Sequence, residues 1–151
     1  MTLGFLADHP ECRPTLAAWY LREWPGLFDD AFTPHHEMDG AMNREQLDCT
    51  LLGFVDGRLA ASAALLTTDV LPLPEYSPWL GTVVVDPALR SRGLGREITL
   101  AALSLACRIG ITTLHLWTPH HRAFYEKLGW EFVRNYTLRD HMVSILRISL
   151  L

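Results

Sequence analysis

Residues 83–95 read Val83-Val84-Val85-Asp86-Pro87-Ala88-Leu89-Arg90-Ser91-Arg92-Gly93-Leu94-Gly95. The run that leads into them, Leu80-Gly81-Thr82-Val83-Val84-Val85, has the β-branched character of a strand buried on both faces. Asp86-Pro87 interrupts it. A long helix then follows, in which Leu94, Ile98, Ala101, Leu105 and Ile109 recur at near-helical period and Gly110 supplies the stop. A helix start leaves backbone N–H groups without partners, and the helix dipole makes that end positive. Gly93 and Gly95 keep side chains out of the way of a ligand, and Arg90, Arg92 and Arg96 add positive charge at the same point. The segment reads as a cradle for a pyrophosphate. A glycine-rich turn that packs a helix onto a sheet fits the local pattern too. The dinucleotide fingerprint Gly-x-Gly-x-x-Gly fails at Ile98, and no Gly-Lys-Ser/Thr follows to make a P-loop.

Upstream of this strand, residues 50–55 and 58–68 read as two strands around Asp56-Gly57, a strong signal for a tight hairpin turn. Residues 69–79 hold three prolines and read as loop. A first strand is expected at 3–8. A helix begins at Pro14, with Leu16, Trp19, Tyr20 and Leu21 on one broad apolar face, and ends at Pro25-Gly26. Residues 29–42 read as loop, and a short helix is expected at 43–49 with Asn43 as its cap. Downstream of the long helix, 112–117 reads as a strand and 120–128 as a short helix closed by Gly129. Residues 130–136 and 142–150 read as a final pair of strands. The order is β-α-α-β-β-β-α-β-α-β-β, an α/β arrangement of a mixed sheet with helices.

The 151 residues suit one domain spanning 1–151, and a chain of this length buries a sufficient core without staples. A net charge of −4 with no block of like charge argues against a nucleic-acid partner. Cys12, Cys49 and Cys107 are odd in number and far apart, which suits a reducing cytoplasm better than a disulfide framework. The first residues lack the pattern of a signal peptide, and no apolar run reaches the ~20 residues of a membrane span. Oligomeric state is open between monomer and homodimer, since an edge strand at the C-terminal end of the sheet could pair with a second copy.

The pattern Val-x-Pro-x-x-Arg-x-x-Gly-x-Gly at 85–95, between a hydrophobic strand and a helix, resembles the acetyl-CoA motif of GNAT N-acetyltransferases. A second stretch, Ala123-Phe124-Tyr125-Glu126-Lys127-Leu128-Gly129-Trp130, is similar to a later motif of that family. The two stand in the expected order and spacing. The resemblance is firm over about 79–133 and only topological before residue 50. Within the superfamily, the run at 82–95, Leu114-His115-Leu116-Trp117-Thr118 and Arg22-Glu23-Trp24-Pro25 look similar to enzymes that acetylate actin N-termini and to small bacterial relatives.

The resemblance implies the GNAT fold, a central, mostly antiparallel sheet flanked by helices, and acetyl-CoA as acyl donor with no metal. It implies that the Val83, Val84 and Val85 backbone pairs with the pantetheine arm. Amides from Ser91 through Arg92, Gly93, Leu94 and Gly95 to Arg96 would hold the pyrophosphate, with Arg90 at the first motif arginine. It implies Tyr125 as the general acid. Many members carry an asparagine before the second helix, where this chain has Thr118-Pro119-His120-His121. Many also carry a base on the strand before the cofactor motif, where this chain has Gly81 and Thr82.

The chemistry asks for more. An amine with a pKa near ~10.4 must lose a proton before it attacks a thioester, and the oxyanion needs a donor such as a backbone N–H of the Val83–Val85 strand. Candidates for the base are Glu75, Glu23, and His120 or His121 acting through water. Trp24 and Trp79, at loop edges, and Glu75 are expected to line the acceptor site. His35-His36-Glu37 with Asp39 lacks the spacing of a metal site. Cys107 on the long helix reads as inert packing. The acceptor reads as a small-molecule amine or a peptide N-terminus. Two rival readings stay open: a non-catalytic CoA-binding regulatory module and a nucleotide-binding α/β domain.

Overall fold

The computed structural model describes residues 1–151. Seven strands form one sheet: β1 (Thr2–Phe5), β2 (Cys49–Val55), β3 (Arg58–Leu66), β4 (Trp79–Val85), β5 (Thr113–Thr118), β6 (Glu131–Leu138) and β7 (His141–Ser149). Four α-helices join them: α1 (Arg13–Glu23), α2 (Pro34–Asp39), α3 (Leu94–Arg108) and α4 (Arg122–Lys127). The spatial order is β1-β2-β3-β4-β5-β7-β6. Every neighbouring pair is antiparallel except β4 with β5. The mixed α/β sheet flanked by helices that the sequence implies is therefore present, with its elements in the expected order.

Alternation along the strands explains the layers. In β3, Ala61, Ala63 and Leu65 join Ile98, Ala102, Leu105 and Ala106 of α3 in one core. On the other face, Leu52 of β2 and Val84 of β4 pack with Leu16, Tyr20 and Met38 of α1 and α2. The β2–β3 hairpin turns at Asp56 and Gly57, both at positive φ, as the tight turn requires.

Three expectations need correction. Residues 43–49 form no helix. Asn43 is not a cap there; its Nδ2 donates to the Leu47 carbonyl, and Met42 and Asn43 bridge to Cys49. The second helix lies instead at Pro34–Asp39, inside the stretch expected to be loop. Thr33 caps it, since its Oγ1 accepts from the His36 amide while the Thr33 amide donates to His36 Nδ1. Pro34 stands at the first helical position, where a missing N–H costs nothing. Cys107 is exposed on α3 rather than packed.

The feature that builds the site is the parallel pair. β4 and β5 meet at Trp79 and His115, and no register continues beyond that point. The His115 amide reaches back to the Pro78 carbonyl at 3.2 Å. From there the strands diverge, and the edge of β4 that faces β5 is left open between Gly81 and Val85.

Candidate active site

A groove runs along the open edge of β4 to the start of α3. Val83, Val84 and Val85 form one wall, Arg90, Ser91, Gly93, Leu94, Gly95 and Arg96 form its head, and Phe124 and Tyr125 of α4 form the other wall. Val84 turns its side chain to the opposite core, so its contribution here is backbone. No protein acceptor takes the amides of residues 91–96; the first bond of α3 is Glu97 N to Gly93 O at 3.0 Å. Asp86 organises the approach, since its Oδ1 accepts from the Ala88 amide at 2.9 Å. Gly93 has φ +77°, a conformation that side chains resist, and Gly95 faces Phe124 and Val85 closely enough that a larger residue would intrude on the groove. Arg92 is exposed and does not line the groove. Arg90 donates to Glu23 Oε2 at 3.1 Å.

A second cleft opens where β4 and β5 splay. Its walls are Trp24 and Phe28 after α1, Thr82 and Val83 of β4, and Trp117 and Thr118 of β5, with His120 and His121 at the rim. Three carboxylates line it, Glu23, Glu37 and Asp69, and no lysine or arginine does. Thr82 takes a positive φ of 46° at the point where the β3–β4 register shifts, a bulge that re-aims this stretch of β4 into the cleft. The Thr118 hydroxyl accepts from the His121 amide at 3.0 Å and so ties the end of β5 to the start of α4.

The two cavities share four residues: Glu23, Val83, His121 and Tyr125. Tyr125 is 8 % exposed and stands at this junction. Burial, with the Glu23 charge nearby, pushes its phenol above the ordinary value, so it stays protonated at neutral pH. Glu23 Oε1 is 3.7 Å from His121 Nε2, which gives this carboxylate a partner on each side.

The structure brings most of the residues expected from sequence to one place and leaves three out, Arg92 among them. Trp24 lines the second cleft. Trp79 does not; it is 1 % exposed, packed edge-on against Tyr76 at 6.1 Å and beside His115, because it is the one β4 residue that pairs with β5. Glu75 lies exposed in the turn Pro74–Tyr76, outside both cavities. Of the other base candidates, Glu23, His120 and His121 reach the second cleft.

Sequence reading missed Glu37 and Asp69 as cleft residues. Burial, then the charges of Asp69 and Asp48, raises Glu37 up to about 8. Burial raises Asp69 to about 6, against the opposing pull of the Val70 amide and the Trp117 indole. The only signal for either was a carboxylate in an otherwise apolar or loop context, Glu37 before Met38 and Asp69 before Val70.

A splayed parallel pair, an open strand edge and a helix start with free amides define the acyl-CoA-dependent acyltransferase architecture. The chain belongs to the acetyltransferase (GNAT) family, whose model matches residues 13–130. No curated protein matches it in a sequence search. Among solved structures, an aminoglycoside 6'-N-acetyltransferase complexed with coenzyme A superposes with a TM-score of 0.79 at 16% identity, covering 100% of this chain and 98% of that one. An acyl-CoA N-acyltransferase from Pseudomonas aeruginosa gives a TM-score of 0.68 at 25% identity, with 98% and 97% covered. An aminoglycoside 6'-N-acetyltransferase from Enterococcus faecium gives 0.75 at 16%, with 100% and 98% covered. No helix is long and apolar enough to cross a membrane.

Proposed function

We propose that this protein, acting as one catalytic domain, transfers an acetyl group from acetyl-CoA to a primary amine by direct attack within a ternary complex. The observation that carries this reading is the junction: Glu23, Val83, His121 and Tyr125 belong to both cavities, so a thioester lying in the groove presents its carbonyl to the second cleft.

The groove suits the donor. Free amides at 91–96, with Arg90 and Arg96 beside them, match a diphosphate. The open β4 edge offers strand-like pairing to the pantetheine amides, and a β4 backbone N–H near Val83 would serve as donor to a developing oxyanion. Tyr125 donates its hydroxyl hydrogen to the departing sulfur. A thiol near ~8.5 is a stronger acid than a buried phenol, so full transfer is uphill in isolation. Tyr125 therefore acts first as a hydrogen-bond donor to the developing thiolate, and the proton follows as the product forms.

The second cleft suits a cationic acceptor. Three carboxylates without a lysine or arginine favour an ammonium over an acidic peptide terminus, and Trp24, Phe28 and Trp117 supply apolar and cation-attracting walls. A polyamine or aminoglycoside is the class that fits, and three of the solved neighbours are named as aminoglycoside acetyltransferases. The three cysteines are unpaired, which suits a cytoplasmic setting.

The test is to mix the protein with acetyl-CoA and a panel of primary amines while following free thiol. Thiol release with cationic amines supports the reading. Tight CoA binding with no release for any amine leaves the non-catalytic module in its place, and equal thermal stabilisation by ATP and CoA favours a general nucleotide site.

A further inference from the structure

Glu37 and Asp69 line the acceptor cleft and also a cavity behind it, so they stand between the two. They arrive from unrelated places, Glu37 from α2 and Asp69 from the loop that leaves β3. Gly81 of β4 makes the room. A methyl group at position 81 would sit 3.1 Å from Asp69 Oδ2 and 2.7 Å from Leu66 Cδ1. The Asp69 carboxylate thus occupies the space that a side chain on this stretch of β4 would fill. Its Oδ1 is fixed by the Val70 amide at 2.7 Å, which leaves Oδ2 toward β4. Glu37 Oε1 is sealed from solvent and has no hydrogen-bond partner. A carboxyl oxygen in that state is costly to keep ionised.

We infer that Glu37 and Asp69 form the acceptor's ammonium-binding and proton-accepting pair, delivered from outside β4 into the vacancy at Gly81. The inference rests on the acetyltransferase reading above. A bound ammonium gives one proton to an ionised Asp69 oxygen, which leaves amine and carboxyl both neutral, and Glu37, protonated and neutral, holds the nitrogen by a hydrogen bond. The nitrogen lone pair then forms the bond to the thioester carbonyl carbon, and the carbon–sulfur bond breaks. Sulfur leaves with the bonding electrons and ends as the thiol, its proton donated at Tyr125. The nitrogen's second proton departs through solvent and restores the phenol. Asp69 returns its proton to water, so one proton is released for each amide made.

Other charged groups face the pair from both sides. Asp48, His36 and Arg139 line the cavity behind it, and Glu23, His120 and His121 line the cleft in front, with Tyr125 beyond and Tyr20 beneath α2. Asp48 adds repulsion at Glu37, and both carboxyls of the pair are raised. At neutral pH the pair therefore holds one proton between two carboxyls. Because both folded values exceed the unfolded ones, the folded state binds protons that the unfolded state has lost. Stability from these groups is full below about pH 4 and is lost as pH rises through the folded values.

The experiment uses spermidine and kanamycin as acceptor probes with wild type, Asp69→Asn, Glu37→Gln and Gly81→Ala. Asp69→Asn is expected to lose about 10²-fold or more in kcat/KM and to remove the acidic limb of the pH profile, with acetyl-CoA affinity unchanged. Glu37→Gln is expected to flatten the fall of Tm between about pH 5 and pH 8. Gly81→Ala keeps both carboxyls but displaces Asp69, and is expected to lower kcat without changing acetyl-CoA affinity. Wild-type kcat/KM and pH profile in both Asp69→Asn and Glu37→Gln would overturn the pair. If wild type acetylates neither probe, the transferase reading is decided by the wider amine panel, and calorimetry decides the pair alone. Spermidine binding to the CoA-loaded protein that is lost in Asp69→Asn sustains it, and binding that is absent or unaffected overturns it.

Discussion

The groove proposed for the donor and the cleft proposed for the acceptor share a border but are made of different material. The groove is largely backbone: an open strand edge, a run of unpartnered amides and two glycines, nearly all within residues 83–96. The cleft is side chain: carboxylates and aromatic rings drawn from α1, α2, β5 and two loops that are far apart in the chain. Backbone recognition demands that certain side chains be absent, and it tolerates wide variation elsewhere. Side-chain recognition demands that particular groups be present. A family can therefore hold one donor while its members exchange acceptors.

Substitutions can separate the two regions. The largest effect is expected from Gly95→Glu, which puts bulk and negative charge against Phe124 and Val85 inside the groove. Acetyl-CoA affinity should fall by about 10²-fold or more in titration calorimetry, with the Tm of the free protein nearly unchanged. A variant with normal affinity would show that the donor lies elsewhere. Tyr125→Phe tests the border itself. Turnover should drop by about 10²-fold while acetyl-CoA binding is retained, and equal loss in both would make Tyr125 a wall rather than a donor of hydrogen.

Glu23→Gln should act in the opposite direction on the groove. It frees Arg90 from its carboxylate partner, so acetyl-CoA affinity should rise up to about fivefold at low salt and less at high salt. An unchanged affinity would mean that Arg90 does not reach the diphosphate. The smallest effect is expected from Thr33→Ala, which removes the cap of α2. A loss of about 1 kcal/mol should lower Tm by roughly 3 °C. If acceptor KM rises while the KM for acetyl-CoA holds, α2 positions the cleft alone.

The same contrast explains what could be read from the sequence. The groove was legible because its elements are contiguous: a β-branched strand, a proline break, two glycines and an amphipathic helix. Tyr125 was legible because the second family motif surrounds it. The cleft was not. Glu37 and Asp69 line one cleft only because the fold brings α2 and the loop after β3 to it, which no local spacing encodes. The helix at Pro34–Asp39, in a stretch expected to be loop, was hidden by two local points. Pro34 reads as a breaker, although at a first helical position it is a starter, and the cap pair at Thr33 uses His36 where a glutamate or glutamine is the usual cue. Trp79 at a loop edge looked free to line a cavity, yet the only β4–β5 pairing draws it into the interior.

That lone pairing has a mechanical side. The sheet is two panels, one of four strands and one of three, riveted at Trp79 and His115 and otherwise spanned by α3 across one face. An extended donor lying along the free rim of β4 would act as the missing seam. Amides of the rim at 81–85 should then exchange with deuterium more slowly once the donor is bound, and the acceptor would meet a single continuous sheet.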